Sequence, residues 1–224
     1  MIKGLIFDFD GLILDTETPT YTAWQEIFQQ NGCTLEWSHY QLCIGSNSET
    51  YSPLADLESL LGHPLDREKI LDELNLRTLR LLASQPPSPG VQETLLQARQ
   101  LGLKLALASS SDLNWVKSNL TRLGLWDFFD CVRTAENVAR VKPSPDLFLS
   151  AADCLGIATH EAIVFEDSLN GVRAAKSAGM YCVAIPNKLT SNLNLDGADL
   201  ILPRMDALPL KDLVTAPNRS LSKG

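Results

Sequence analysis

The sequence predicts an α/β protein, a doubly wound parallel sheet interrupted after its first strand by a helical insertion. Three observations predict it. Short apolar runs of strand length recur without the alternation of a half-exposed sheet, as strands buried on both faces do. Amphipathic helical stretches, several closed by glycine, lie between them. The alternation fails between residues 16 and 83, where helical stretches follow one another with no convincing strand.

Taken in order, the candidate strands are residues 4–7, 103–108, 131–134, 162–165 and 181–185, with 199–202 as a sixth. Val91, Leu95 and Ala98 share a helical face, and Gly102 is placed to stop that helix. Leu113, Val116, Leu120 and Leu123 repeat at helical spacing ahead of Gly124. Phe148, Ala151, Ala152 and Leu155 do the same, with Ser144 as N-cap, Pro145 at the first position and Gly156 as the stop. Leu169, Val172, Ala175 and Ala178 form another face, ended by Gly179. In the inserted segment, residues 21–30 and 67–82 read as helices, and Trp24 and Phe28, four apart, as their core. The Pro-rich residues 85–90 mark the return to the sheet. The domains expected are a discontinuous Rossmann-like core, residues 1–15 and 84–224, and an inserted α-helical domain at 16–83. Residues 216–224 are polar and expected to fray.

The chain has 224 residues, with 27 acidic against 19 basic and a net charge of −8. That balance argues against a broad nucleic-acid footprint, which needs clustered Lys and Arg. No stretch approaches the roughly 20 apolar residues of a membrane span. The five cysteines are scattered, with no C-x-x-C pair, and are expected to be reduced thiols. His39, His63 and His160 make no ligand cluster. A soluble, cytoplasmic protein, monomeric by default, is the expectation.

The strongest chemical signal is the string from Phe7 to Thr16, with Asp8, Asp10, Gly11 and Asp15. Aspartates at i and i+2 of an extended chain point the same way, while Phe9 turns inward. They lie where a buried strand ends, the rim at which α/β sheets bind ligands. One carboxylate there can attack phosphorus; the other can protonate the leaving oxygen and then activate water. At the end of the second strand, Ser109 and Ser110 of a serine triplet offer hydroxyls and backbone N–H groups to a phosphate. Lys142, before Pro143 and Pro145, offers a compact positive charge. Glu166 and Asp167 end a fourth run and could complete an oxygen-donor site for Mg²⁺.

These motifs, in this order and each at a strand end, resemble those of the haloacid-dehalogenase-like superfamily, and most closely its β-phosphoglucomutase-like branch with a small α-helical cap. The resemblance covers nearly the whole chain. It implies a phosphatase with Asp8 as nucleophile, Asp10 as general acid/base, and Ser109 and Lys142 on the transferring phosphoryl group. It further implies Mg²⁺ held by Asp8, the main-chain carbonyl of Asp10 and Asp167, with Glu166 reaching the ion through water. The substrate would be a small phosphorylated metabolite, favouring a sugar phosphate, contacted by cap residues among Glu17, Thr20, Ser46, Asn47 and Arg77. Dehalogenases resembling this family lack the second aspartate, whereas Asp10 is present. The alternative is a phosphomutase. Sequences resembling β-phosphoglucomutase carry a cap histidine where this chain has residues 16–20, and a cap arginine where it has Gly45 to Ser48; both are absent. A non-catalytic binding module on the same fold is the second alternative, disfavoured because every expected chemical residue remains.

Overall fold

In a computed structural model, residues 1–43 and 51–215 are described. Six strands, β1 (Gly4–Phe7), β2 (Lys104–Ala108), β3 (Cys131–Arg133), β4 (Ala162–Glu166), β5 (Tyr181–Ala184) and β6 (Leu200–Ile201), form one sheet in the order β3-β2-β1-β4-β5-β6. Every pairing is parallel. The chain leaves β1 toward β2 and β3, then crosses to β4, β5 and β6 on the other side. The order therefore reverses at β1, the kind of switch point where such sheets hold ligands.

The central strands read as unbroken apolar runs because both faces are covered. Leu5 and Phe7 of β1, Leu105 and Leu107 of β2, and Ile163 and Phe165 of β4 enter one apolar layer. Ile6, Ala106, Ala108, Ala162 and Val164 enter the other. The first layer is closed by Val91, Leu95 and Ala98 of α5 (Val91–Gln100) and by Val116 and Leu120 of α6 (Leu113–Arg122). The second is closed by α7 (Asp146–Leu155) and α8 (Leu169–Ser177). The Phe7 and Phe165 rings stack across β1 and β4 with centroids 4.9 Å apart. The register pairs Phe7 with both Leu107 and Phe165, which brings the C-terminal ends of three strands to one level.

Among the described residues between β1 and α5 lie four α-helices: α1 (Glu17–Gln30), α2 (Trp37–Tyr40), α3 (Pro53–Leu61) and α4 (Arg67–Leu82). They surround their own apolar cluster, including Trp24, Ile27, Phe28, Leu57 and Ile70, joined by Leu189 from the loop after β5. Trp24 and Phe28 meet edge to face at 6.4 Å, as their spacing anticipated. Residues 67–82 are helical as expected, with Asp66 accepting from the Lys69 amide at the N-terminus. A short helix, α9 (Leu210–Leu213), packs its apolar side on the first layer.

Three expectations are corrected. Helix α1 starts at Glu17, earlier than residue 21, because Pro19 suits a first turn and the Asp15 carboxylate accepts from the Thr18 amide at 3.0 Å. Helix α7 starts at Asp146 with Pro145 as its N-cap residue; the Ser144 hydroxyl donates to the Asp146 carboxylate at 2.6 Å instead of capping. The cysteines are not all free. Cys131 on β3 and Cys154 on α7 are joined in a disulfide, their Cα atoms 6.3 Å apart, while Cys33 and Cys182 are free thiols. Among the described residues no helix is long and apolar enough to cross a membrane.

Candidate active site

Asp8 follows β1 directly, and its backbone N–H donates to the Phe165 carbonyl at 3.0 Å, continuing the ladder one step past the strand. Its side chain is buried. Lys142 reaches it from the loop before α7 and donates to Asp8 Oδ1 at 2.5 Å and to Glu166 Oε1 at 2.6 Å. The Lys142 Nζ lies over the Phe148 ring, 4.9 Å from its centroid. The Lys142–Pro143 peptide is cis. The other Glu166 oxygen accepts from the Asp167 and Ser168 amides and the Ser168 hydroxyl, at 3.0–3.2 Å. Glu166 is thus fully bonded, and its immediate work is to hold Lys142 beside Asp8.

Asp10 is turned toward the start of α6. Its Oδ1 accepts from the Trp115 indole N–H at 2.8 Å. Its Oδ2 accepts from the Ser111 hydroxyl at 2.6 Å and the Ser109 hydroxyl at 3.2 Å. Ser109 is buried and Ser110 is exposed, so the second seryl contact to Asp10 comes from Ser111. Trp115 is aimed there by the N-terminus of α6, where Asp112 accepts from the Trp115 amide at 2.8 Å.

Asp167 lies just beyond β4. Each of Asp8, Glu166 and Asp167 offers a carboxylate oxygen, all within 4.8 Å of one another, and all three residues are buried. Against three carboxylates stands one buried ammonium. Burial, then repulsion from Glu166, pushes the Asp8 carboxyl up to about 8 despite the opposing pull of Lys142. Asp167 moves the same way, through burial and the charges of Glu166 and Asp8. Burial works against the charge on Lys142, but attraction to Asp8 and Glu166 outweighs it and raises the ammonium above its ordinary value. Hard oxygen donors in this number suit Mg²⁺, and the excess negative charge is what a divalent cation would offset.

The candidate cap residues divide. Glu17 stands at the start of α1, and burial, then the charges of Asp10 and Asp15, push its carboxyl up to about 7. Thr20 spends its hydroxyl proton on the Thr16 carbonyl at 2.8 Å. Arg77 is not brought to this site: it donates to Glu26 at 2.7 Å and Glu73 at 2.6 Å, tying α4 to α1. Ser46, Asn47 and the rest of the Gly45-to-Ser48 stretch lie outside the described residues.

Residues 5–185 match the family of haloacid dehalogenase-like hydrolases. The chain belongs to that family. As a haloacid dehalogenase-like hydrolase it is 45% identical to YhcW of Bacillus subtilis (strain 168), whose name marks it as a candidate phosphatase, over 94% of this chain and 95% of that protein. It is 33% identical to the fructose-1-phosphate phosphatase YqaB of Escherichia coli (strain K12), over 81% of this chain and 95% of that one. A crystal structure of a candidate β-phosphoglucomutase from Thermotoga maritima superposes with a TM-score of 0.81 at 28% identity, covering 95% of this chain and all of the other. Within this hydrolase fold, sequence reasoning missed Ser111 and Trp115. Strand alternation was the available signal for Ser111, since it stands two residues after Ser109; no local pattern pointed to Trp115.

Proposed function

We propose that this hydrolase, a phosphoric monoester hydrolase acting on a small phosphorylated substrate, works through an aspartyl phosphate on Asp8 and uses Mg²⁺. The observation that carries the reading is the buried set of Asp8, Glu166 and Asp167 gathered around Lys142. Asp8 would supply the attacking oxygen, with Lys142 bringing positive charge to the equatorial phosphoryl oxygens. Mg²⁺, when bound, would draw negative charge from the phosphoryl group and keep Asp8 ionised. Asp8, Asp167 and the main chain of Asp10 would hold it, with Glu166 at the edge of the set. Asp10 would pass a proton to the leaving oxygen and then take one from water. It must first loosen from the Trp115 indole and the Ser111 hydroxyl, which hold its two oxygens toward α6. The Ser109 hydroxyl stands beside it, on the rim where a phosphate oxygen would sit.

The residues over the site favour one phosphate and an uncharged remainder, as in a sugar phosphate. Residues 16–83 carry only Arg67, Lys69, Arg77 and Arg80 as cations. Arg77 and Arg80 both pair with Glu26. Arg67 and Lys69 begin α4, at the end remote from its return to the sheet. None is placed to grip the second phosphate of a bisphosphorylated intermediate, which a mutase must retain. Glu17, with its carboxyl near neutrality, can donate to or accept from a sugar hydroxyl. Thr20, Ser46 and Asn47 remain candidates for the same contacts. The test supplies β-glucose 1-phosphate with catalytic glucose 1,6-bisphosphate, and follows free phosphate and glucose 6-phosphate separately, with Mg²⁺ and in chelator. Free phosphate should form faster than glucose 6-phosphate, and only with Mg²⁺. Faster formation of glucose 6-phosphate would replace the hydrolase by the mutase.

A further inference from the structure

Asn187 lies in the loop after β5, in the run Ile185-Pro-Asn-Lys188, outside every motif considered above. Its side-chain polarity is fixed by the loop itself. Oδ1 accepts from the Leu189 amide at 2.8 Å and the Thr190 amide at 2.9 Å, while the Asn187 backbone N–H donates to the buried Thr190 hydroxyl at 2.8 Å. Those two amides require the oxygen on their side, so the NH₂ group must face the other way. There Nδ2 donates to Asp167 Oδ2 at 2.7 Å and to the Gly11 carbonyl at 3.3 Å. Gly11 shares the junction closely: with φ at 81°, a Cβ there would stand 2.2 Å from Asp167 Oδ2 and 2.8 Å from Asn187 Nδ2.

We propose that Asn187 is a positioning residue for the divalent-cation site, bracing Asp167 and the chain just after Asp10 with one amide group. This rests on the reading that Asp8 and Asp167 hold a cation. By occupying one oxygen of Asp167, the amide stops the carboxylate from turning and leaves the other oxygen for the ion. By binding the Gly11 carbonyl, it fixes the segment whose preceding residue carries the expected main-chain ligand. A neutral donor suits this position: it adds no charge to a cluster already short of cations, and a carboxylate there would face Asp167 with like charge. Outer partners of metal ligands act in this way, orienting the ligand without touching the ion.

Serine at position 187 keeps an oxygen for the turn and cannot reach Asp167. Titrating free Mn²⁺ by electron paramagnetic resonance should show Asn187→Ser binding the ion roughly tenfold or more weakly than the unmodified protein, with its circular dichroism retained. Thr190→Val removes the hydroxyl that orders the loop but leaves the Asn187 donor. It should lower the melting temperature and leave Mn²⁺ affinity unchanged. In the unmodified protein, the Asn187 side-chain amide signals should shift when Mg²⁺ is added. Equal Mn²⁺ affinity in Asn187→Ser, an equal loss in Thr190→Val, or amide signals indifferent to Mg²⁺ would overturn the positioning role while the cation site stood. Mn²⁺ binding that survives intact in Asp167→Ala would remove the cation site, and the role of Asn187 with it.

Discussion

A missing side chain at position 171 lets Glu166 reach Lys142. A Cβ there would stand 1.8 Å from Glu166 Cδ and within 2.0 Å of both its oxygens. The carboxylate is buried and fully bonded, so it can yield only by giving up partners. Gly171→Ala would by itself favour helix α8, by about 1 kcal/mol. It should nevertheless lower kcat roughly tenfold to a hundredfold, because Lys142 loses the anchor that keeps it against Asp8. Steady-state kinetics with circular dichroism checks this, and a variant with unaltered kcat would contradict the role given to Glu166. Asp8, Asp10, Glu166 and Asp167 were legible in the sequence as acids at or just past the ends of apolar runs; Lys142, in the loop nine residues beyond β3, stood out only through the company of the other motifs. Trp115 and Asn187 were not legible: each reaches the site from a segment whose direction is set by a helix start or a turn, and indole and amide groups are ordinary residues until that direction is known.

At the scale of elements, the strands were legible as apolar runs because helices bury both faces of the sheet. Their order was not, since the crossing from β3 to β4 past β1 leaves no local mark. Helix starts were the least readable feature, as α1 and α7 show: proline and neighbouring carboxylates shift the first turn by a few residues. The α1–α4 pair turns on Arg77, whose side chain is 14% exposed and bound by Glu26 and Glu73. Such a half-buried pair of contacts holds helices together and leaves the guanidinium no hand for substrate. Arg77→Gln should therefore lower the melting temperature by about 2–4 °C, as a loss near 1 kcal/mol does in a protein of this size. It should leave kcat/KM nearly unchanged. A large rise in KM with no loss of stability would return Arg77 to the substrate.

At the scale of the whole molecule, the disulfide was the least legible feature: Cys131 and Cys154 stand 23 residues apart, and only the packing of α7 on β3 brings them together. The charge balance of the site has a global consequence. The Asp8 carboxyl lies at about 8 in the fold against an ordinary 3.8, with burial the main cause. The folded protein therefore keeps a proton that the unfolded chain releases. Stability from this source is present below the ordinary value and is lost as pH rises through about 8. Asp167 and Glu17 act in the same direction. In chelator the melting temperature should fall between about pH 5 and pH 8, and Asp8→Asn should flatten that fall. Added Mg²⁺ should raise the melting temperature more at the upper end, where it binds a carboxylate already free of its proton. Differential scanning calorimetry across that range checks all three, and a melting temperature in chelator that climbs with pH would contradict the assignment.

The central claim is that the phosphoryl group passes through Asp8. The most direct measurement is a rapid acid quench during turnover of a radiolabelled hexose monophosphate, followed by borohydride reduction and peptide mass spectrometry. An acyl phosphate is reduced to the alcohol, so residue 8 should appear as homoserine, in step with base-labile label, and both should vanish in Asp8→Asn. Label on another residue, or full turnover with residue 8 remaining aspartate at every quench time, would contradict the account.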